Sequence, residues 1–445
     1  MKPTVRPLRL QQPGRPVEPP RRAKMWKNNR REELRRAGRH SAGPGELAGA
    51  VGRRQFMQLL AAASGGVLLS PSVLLARSER DVPTEQLVRF PEKTDLILRT
   101  DRPPQLETPL RYFQADLTPN DAFYVRWHLE GIPTEVDRET FRLQLAGHVE
   151  KPLSLSLADL RAQFDPVSLV AVNQCSGNSR SFFTPRVAGG QWRNGAMGNA
   201  RWTGVRLRDL LDRAGVKAGA IEVSFSGLDR GAFSTTPIFA KSLALDHARD
   251  GEVMVAYQMN GADLPMLNGF PLRLIVPGWY ATYWVKALDA VTVLPEKFKG
   301  FWMDKAYRIP TSANAEESPD HLATETIPIN RLSLRSLFVR PEPGEQLSAK
   351  KPFEIQGLAF DSGSGIQRVE LASREGGPWE QAQLDPDLGK YSWRRWRFLW
   401  HPQTPGKYLL QVRAQNQAGE EQPTSLWNRA GYMRNVIEKM EVEVV

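Results

Sequence analysis

One short stretch of this 445-residue chain concentrates residue types that do chemistry: Asn173-Gln174-Cys175-Ser176-Gly177-Asn178-Ser179-Arg180. Cys175 is the only cysteine. It follows an apolar run and sits among Gly, Asn and Ser, residues that turn the chain and leave backbone N–H groups free to meet an anion. Arg180, five residues on, can hold the thiolate charged. A thiolate so placed is either a nucleophile or a soft donor to a metal. A nucleophilic cysteine works with a histidine and an asparagine. Beyond residue 76 the histidines are His128, His148, His247, His321 and His401, and none shares a local motif with Cys175. From residue chemistry alone, hydrolase and metal site stand level. The single cysteine excludes an intramolecular disulfide, a zinc site built on several cysteines and an iron–sulfur cluster on the chain's own thiols. With no CxxCH motif, covalent haem is excluded as well.

Such a loop needs elements to hold it. Ser168–Val172 reads as a buried strand running directly into Cys175. Phe141–Leu145 alternates and predicts another strand, Leu157–Phe164 a short helix, and Leu207–Ala214 a helix closed by Gly215. Leu272–Val276 is a strand ended by Pro277-Gly278. These predict an α+β domain over residues 121–315. Residues 77–120, Pro-rich and charged, read as an arm on a domain surface, and 311–329 as a polar linker. From 330 to 445 the pattern becomes all-β. Phe353–Phe360 alternates, Arg368–Ala372 follows the turn cluster Asp361–Gly365, and Trp393–Trp400 and Tyr408–Ala414 supply two more strands. Short, evenly spaced strands with Gly and Pro turns predict an immunoglobulin-like β-sandwich. No repeat or phosphate-cradling loop is present.

The net charge of +11 is unevenly placed. Residues 1–54 hold fifteen Lys and Arg against four Glu, and the remainder balances at zero. The body therefore lacks the basic excess of a nucleic-acid binder. Gly52-Arg53-Arg54-Gln55-Phe56-Met57 precedes a moderately apolar stretch from Phe56 to Leu75, broken by Gly and Pro. That pattern suits a cleaved signal better than a membrane span. The Arg pair ahead of it resembles a twin-arginine export signal. Residues 1–76 are thus expected to be a basic extension plus signal peptide, with cleavage near Leu74-Leu75-Ala76 and no membrane span in the mature chain.

Several longer motifs resemble the sulfite-oxidase family of molybdopterin enzymes. They are Gln174–Asn178, Gly195–Val205, Phe123-Tyr124-Val125-Arg126-Trp127-His128, Ala256–Gly261 and Asn268–Arg273, followed by Val276-Pro277-Gly278 and Trp284-Val285-Lys286. They occur in the family's order and span about residues 85 to 440. Within the family the chain is most similar to the molybdenum subunit of the bacterial thiosulfate-oxidising complex, and next to bacterial sulfite dehydrogenases. The resemblance implies an α+β molybdopterin-binding domain followed by a β-sandwich dimerisation domain, hence a homodimer. It implies one pterin on a dioxo molybdenum, with Cys175 as the protein's metal ligand. Tyr124, Arg126, His128, Asn268, Arg273 and Lys286 would hold the pterin and its phosphate, with Asn268 standing where relatives often carry histidine. Arg126, Arg180 and Arg394, from Trp393-Arg394-Arg395-Trp396, would form the anion pocket, and Tyr257 would accompany proton movement.

The implied reaction is oxidation of sulfite, or of sulfane sulfur on a carrier protein, with electrons leaving to a c-type cytochrome because this chain carries no haem. A methionine-sulfoxide-type reductase of the same superfamily is an alternative, which residues 330–445 oppose because those enzymes lack a C-terminal β-domain. A cofactor-free β-sandwich binding protein is a second. Export is directly testable. Replacing Arg53 and Arg54 with Lys is expected to leave the precursor in the cytoplasm, measured by cell fractionation; normal arrival in the periplasm would reject the twin-arginine assignment.

Overall fold

Apolar residues recurring every second position, punctuated by Gly and Pro, build a mostly β protein. The computed structural model describes residues 85–445. The twin-arginine motif and apolar stretch expected to direct export lie outside the described residues. Among those described, no helix is long and apolar enough to cross a membrane.

The chain opens with β1 (Leu87–Arg89), β2 (Asp95–Asp101) and β3 (Pro104–Glu107), which join β4 (Val125–Arg126) in a four-stranded sheet. The stretch expected to be an arm is therefore folded from its first described residues. Leu96 and Leu106 are fully buried, packed with Val125 and Trp127. The sequence disguises this because the strands are short and carry charges on their outer faces.

The cofactor-type domain continues with β5 (Leu143–Gly147), β6 (Leu153–Leu155), α1 (Leu157–Gln163), β7 (Val167–Gln174), β8 (Met197–Arg206) and α2 (Leu207–Ala214). Next come β9 (Glu222–Gly227), β10 (Ala240–Ala244), β11 (Met254–Met259), β12 (Ala262–Asp263), β13 (Arg273–Ile275) and β14 (Leu288–Leu294). Helix α1 starts on a reciprocal cap: Ser156 Oγ accepts the Asp159 N–H at 3.0 Å while Asp159 accepts the Ser156 N–H at 2.9 Å. Helix α2 ends on Gly215 with φ 68°. One sheet runs β10-β9-β14-β5-β6, and the other β12-β11-β8-β7 with β13 against β11. Strands β7 and β8 pair without interruption from Val167↔Gly204 to Gln174↔Met197. The last five residues of β7 are all buried. That ladder delivers Cys175 to a fixed point, where its N–H donates to Ala196 O at 2.9 Å.

The expected linker is also structured. β15 (Arg308–Pro310) pairs with β16 (Thr326–Pro328), and buried Glu317 is held by Arg429. Beyond it, β17 (Arg335–Arg340), β19 (Phe353–Phe360), β23 (Arg394–Trp400) and β22 (Gln383–Leu384) form one sheet in the order β17-β19-β23-β22. β18 (Gln346–Leu347), β25 (Glu438–Val444), β24 (Gly406–Asn416), β20 (Ile366–Ala372) and β21 (Glu380–Gln381) form the other, in the order β18-β25-β24-β20-β21. Their core holds Phe338, Ile355, Val369, Trp396, Leu410 and Val412. This is the sandwich expected from the sequence.

The two domains share apolar packing: Leu337, Leu358, Phe360 and Trp393 belong to the core of the first domain. Trp393 meets Phe113 edge-on at 5.1 Å. The Val172 N–H donates to Tyr391 O at 2.9 Å, so the sandwich braces the strand that carries Cys175.

A candidate molybdopterin and oxyanion site

After β7 the chain turns sharply: the Asn178 N–H donates to Cys175 O at 3.0 Å, and the Arg180 N–H to Gly177 O at 3.1 Å. Asn178 Oδ1 accepts the Ala196 N–H at 3.0 Å, tying the turn to the start of β8. The Cys175 side chain is buried yet borders two recesses. One is a narrow cleft lined by Tyr124, Arg126, His128, Cys175, Ser176, Leu267, Asn268, Arg273, Ala281, Thr282, Lys286 and Tyr307. The other opens between Arg126, Cys175, Arg180, Trp192, Tyr307, Arg429 and Tyr432. Residues from Tyr124 to Lys286 thus meet where the sequence reading expected a single site.

Charge marks the cleft as a ligand site. Arg126, Arg180, Arg273 and Lys286 have no carboxylate within 4.0 Å among the described residues. A buried cation without a counter-ion costs several kcal/mol, so such a cluster persists where an anion is to be bound. Arg273 is held only by neutral oxygens, donating to Asn268 O at 3.0 Å and Asn173 Oδ1 at 3.2 Å. Tyr124 Oη donates to the same Asn173 Oδ1 at 2.7 Å. Buried polar atoms around the cleft are left unpartnered: Arg273 Nε, Asn173 Nδ2, Ser176 Oγ and Thr282 Oγ1. Native interiors leave few such atoms. Orphaned donors, unpaired cations and one thiol fit an anionic pterin carrying a metal. No cluster of three or more His, Cys, Asp or Glu able to hold a metal occurs among the described residues.

Two site residues were not legible in the sequence. Lys93, from the turn between β1 and β2, is buried; its Nζ donates to Asn120 O at 2.6 Å, Phe123 O at 3.1 Å and the Asn268 side-chain oxygen. It places an amine directly behind Asn268. Tyr307 lines both recesses, and its hydroxyl hydrogen-bonds His128 Nε2 at 2.7 Å. Burial raises the Tyr307 hydroxyl above its ordinary range. Burial, reinforced by Arg126, Lys286 and Lys241, holds His128 well below its ordinary value. Both are neutral near pH 7.

Two expected site residues lie elsewhere. Tyr257, on β11, lies beneath the Arg161 guanidinium of α1 at 4.9 Å and lines neither recess. The tyrosine that does line both recesses is Tyr307. Arg394 donates to Asp385 O at 2.7 Å and Ile366 O at 3.2 Å within the sandwich, and Arg395 pairs with Asp116 and Asp385. The Trp-Arg-Arg-Trp segment is a sandwich strand, and its arginines are spent on packing and domain contacts. Arg429 does reach the outer recess, but the Glu317 carboxylate accepts three hydrogen bonds from its guanidinium, at 2.9, 3.1 and 2.6 Å, so its charge is already matched.

The geometry agrees with what the chain is similar to. Residues 128–302 match the model of an oxidoreductase molybdopterin binding domain, and 326–445 that of a Mo-co oxidoreductase dimerisation domain. The chain is 33% identical to mitochondrial sulfite oxidase of Homo sapiens over 367 residues, covering 78% of this chain. It spans 66% of that relative's length, just under two thirds. It is 31% identical to sulfite oxidase of Arabidopsis thaliana over 329 residues, covering 69% of this chain and 80% of that one. The crystal structure of the sulfane dehydrogenase SoxCD from Paracoccus pantotrophus superposes with a TM-score of 0.67 at 23% identity, covering 91% of this chain and 95% of that one. That likeness speaks to fold.

The buried lysines lead to a pH dependence. Burial brings Lys93, Lys241 and Lys286 each down to about 7, with Arg273 adding to the effect at Lys286. Unfolded lysine keeps its proton to about pH 10.5. Between these limits the unfolded chain binds more protons, so stability rises with pH. The cofactor-free protein should show a higher urea midpoint at pH 9 than at pH 7, and Lys286→Met should reduce that gain. A flat profile would mean that these lysines stay charged in the fold.

Proposed function

The chain belongs to the sulfite-oxidase family of molybdopterin oxidoreductases, and from that premise we propose that it is a periplasmic enzyme oxidising sulfite, or sulfane sulfur bound to a carrier protein, with a c-type cytochrome as electron acceptor. The observation that carries this reading is the convergence of Arg126, Arg180, Arg273 and Lys286 on one thiol with no carboxylate within 4.0 Å of their charged groups among the described residues. Family membership removes the cofactor-free binding protein from consideration.

When bound, the molybdenum–pterin group supplies two-electron oxygen-transfer chemistry; the protein supplies binding, orientation and charge. The Cys175 thiolate would ligate the metal as a soft donor. Arg273, Lys286, Asn268 and Thr282 would grip the pterin and its phosphate, with Lys93 behind Asn268. On the open side, Arg126 and Arg180 present guanidinium donors suited to two oxygens of a sulfur oxyanion. The Tyr307 hydroxyl contacts His128 and lines the recesses shared with these arginines, so it can donate to a substrate oxygen. While the anion is bound, its charge offsets part of the positive field, and His128 Nε2 can receive a proton released in turnover.

Export by the twin-arginine route delivers a protein already folded around its cofactor, which fits a site assembled by contacts distant in sequence. The C-terminal dimerisation-type domain supports a twofold-symmetric homodimer. Light scattering should give twice the mass of the mature chain, and a monomer at micromolar concentration would reject the dimer.

The reading stands or falls on Cys175. In protein matured in a host that makes molybdopterin, Cys175→Ser swaps a soft thiolate for a hard hydroxyl while the pterin grip remains. Molybdenum should stay largely bound, a sulfur-to-metal absorption band should vanish, and turnover should drop by orders of magnitude. Wild-type protein from that host without molybdenum would end the proposal, and a Ser variant with unchanged spectrum and rate would remove Cys175 as ligand.

A further inference from the structure

Arg180 faces the outer recess, but the groups that aim it belong largely to the other domain. Its guanidinium donates from Nε and Nη2 to Ala430 O at 3.2 and 3.1 Å, and from Nη1 to Gly190 O at 3.1 Å. It lies over the Tyr432 ring at 5.1 Å. Gly431 packs so closely that a β-carbon there would come within 2.8 Å of Arg180 Cγ. The residue before it, Ser179, adopts φ 69° and ψ 18°, a left-handed conformation that L-residues with a β-carbon avoid unless something holds them.

What holds Ser179 comes from the sandwich. Arg335, at the start of β17, is 1% exposed. Its Nη2 donates to Ser179 Oγ at 2.7 Å and to Asn194 Oδ1 at 2.9 Å, while Ser179 Oγ donates to the same Asn194 oxygen at 2.5 Å. The obvious partner, Glu438, is 3.7 Å away and pairs more closely with Arg434 at 2.7 Å. Arg335 Nε and Nη1 have no partner among the described residues. A buried guanidinium placed for ion pairing would meet its carboxylate with two parallel N–H donors. This one instead commits its single shared donor nitrogen to the loop that carries Arg180.

We propose that Arg335 is a positioning residue for the substrate anion: through Ser179, the C-terminal sandwich sets the direction of Arg180, so oxyanion affinity is built at the junction of the two domains. The sandwich then serves the site itself as well as dimer formation. This rests on reading the outer recess as the oxyanion pocket, and the test separates the two.

The holoprotein and its Arg180→Met, Arg335→Met and Ser179→Ala variants would be titrated with inorganic sulfate by calorimetry. Molybdenum content, KM and kcat for sulfite would be measured on the same samples. Arg335→Met is expected to weaken sulfate binding about tenfold, the size of one lost charge-assisted hydrogen bond, and to raise KM far more than it lowers kcat, with molybdenum unchanged. Ser179→Ala should move the same quantities in the same direction by less. If Arg180→Met weakens sulfate binding but Arg335→Met and Ser179→Ala bind it like wild type, the proposal is overturned and the pocket reading survives. If Arg180→Met also binds sulfate like wild type, the pocket reading itself fails. Should Arg335→Met not accumulate, Ser179→Ala decides alone, and unchanged sulfate affinity overturns the proposal.

Discussion

The structure is organised around an electrostatic debt: several cations buried about one thiol with no carboxylate beside them. Desolvating an ion costs several kcal/mol even after the protein relaxes, and here the compensation within the chain is partial. Arg180 and Arg273 are supported by carbonyl and amide oxygens, which are weaker partners than carboxylates. The lysines respond differently. Their protons are loosened until they release them near pH 7, a response open to ammonium but hardly to guanidinium. A bound phosphate or oxyanion would remove the debt, so on the proposed reading cofactor and substrate affinity and apoprotein instability have one origin.

That constraint explains why rigid β structure surrounds the cleft. Cations that repel one another separate unless their backbones are fixed. Arg273 lies on β13, hydrogen-bonded to β11, Arg126 on β4 against β3, and Cys175 directly after the β7–β8 ladder. Lys286 bridges to Arg273 in an isolated antiparallel pair, which keeps two positive side chains on adjacent backbone. Aromatic rings fill the intervals: Lys286 lies over Trp127 at 4.8 Å and Arg273 over Trp202 at 5.3 Å. Ring faces carry partial negative charge, and the attraction strengthens in a dry setting.

Legibility in the sequence followed the range of the interactions involved. Strand β19 ran from Phe353 to Phe360, as its alternation indicates, and helix α2 stopped at Gly215, because periodicity and caps are local. The cysteine loop was legible because a lone thiol among Gly, Asn and Ser has few structural uses. Lys93 was opaque: its partner Asn268 is 175 residues away, and nothing near Lys93 marks it as buried. Tyr307 was hidden because it sits beside a stretch read as linker, whose hairpin becomes evident only once β15 meets β16. Tyr257 and Arg394 misled for the opposite reason. Each sits in a segment of the right type, but a tyrosine or arginine on a β-strand serves whichever side its register dictates, and register is set by partners elsewhere in the chain.

The proton-handling pair follows from the same electrostatics. A tyrosine among arginines would ordinarily be drawn toward ionisation, and Arg126 and Arg180 do pull Tyr307 that way; burial outweighs them and its hydroxyl keeps the proton. Burial, with the neighbouring cations adding to it, makes a second proton on His128 costly, so the imidazole is neutral. The hydroxyl oxygen and His128 Nε2 lie 2.7 Å apart, and the tautomer of the neutral imidazole sets which of the two donates. An arriving oxyanion cancels part of the positive field and so makes protonated His128 less costly at the moment a proton needs somewhere to go. Departure of the anion restores the field and expels the proton. On the proposed reading, arginines that bind the anion would also couple its presence to the basicity of His128.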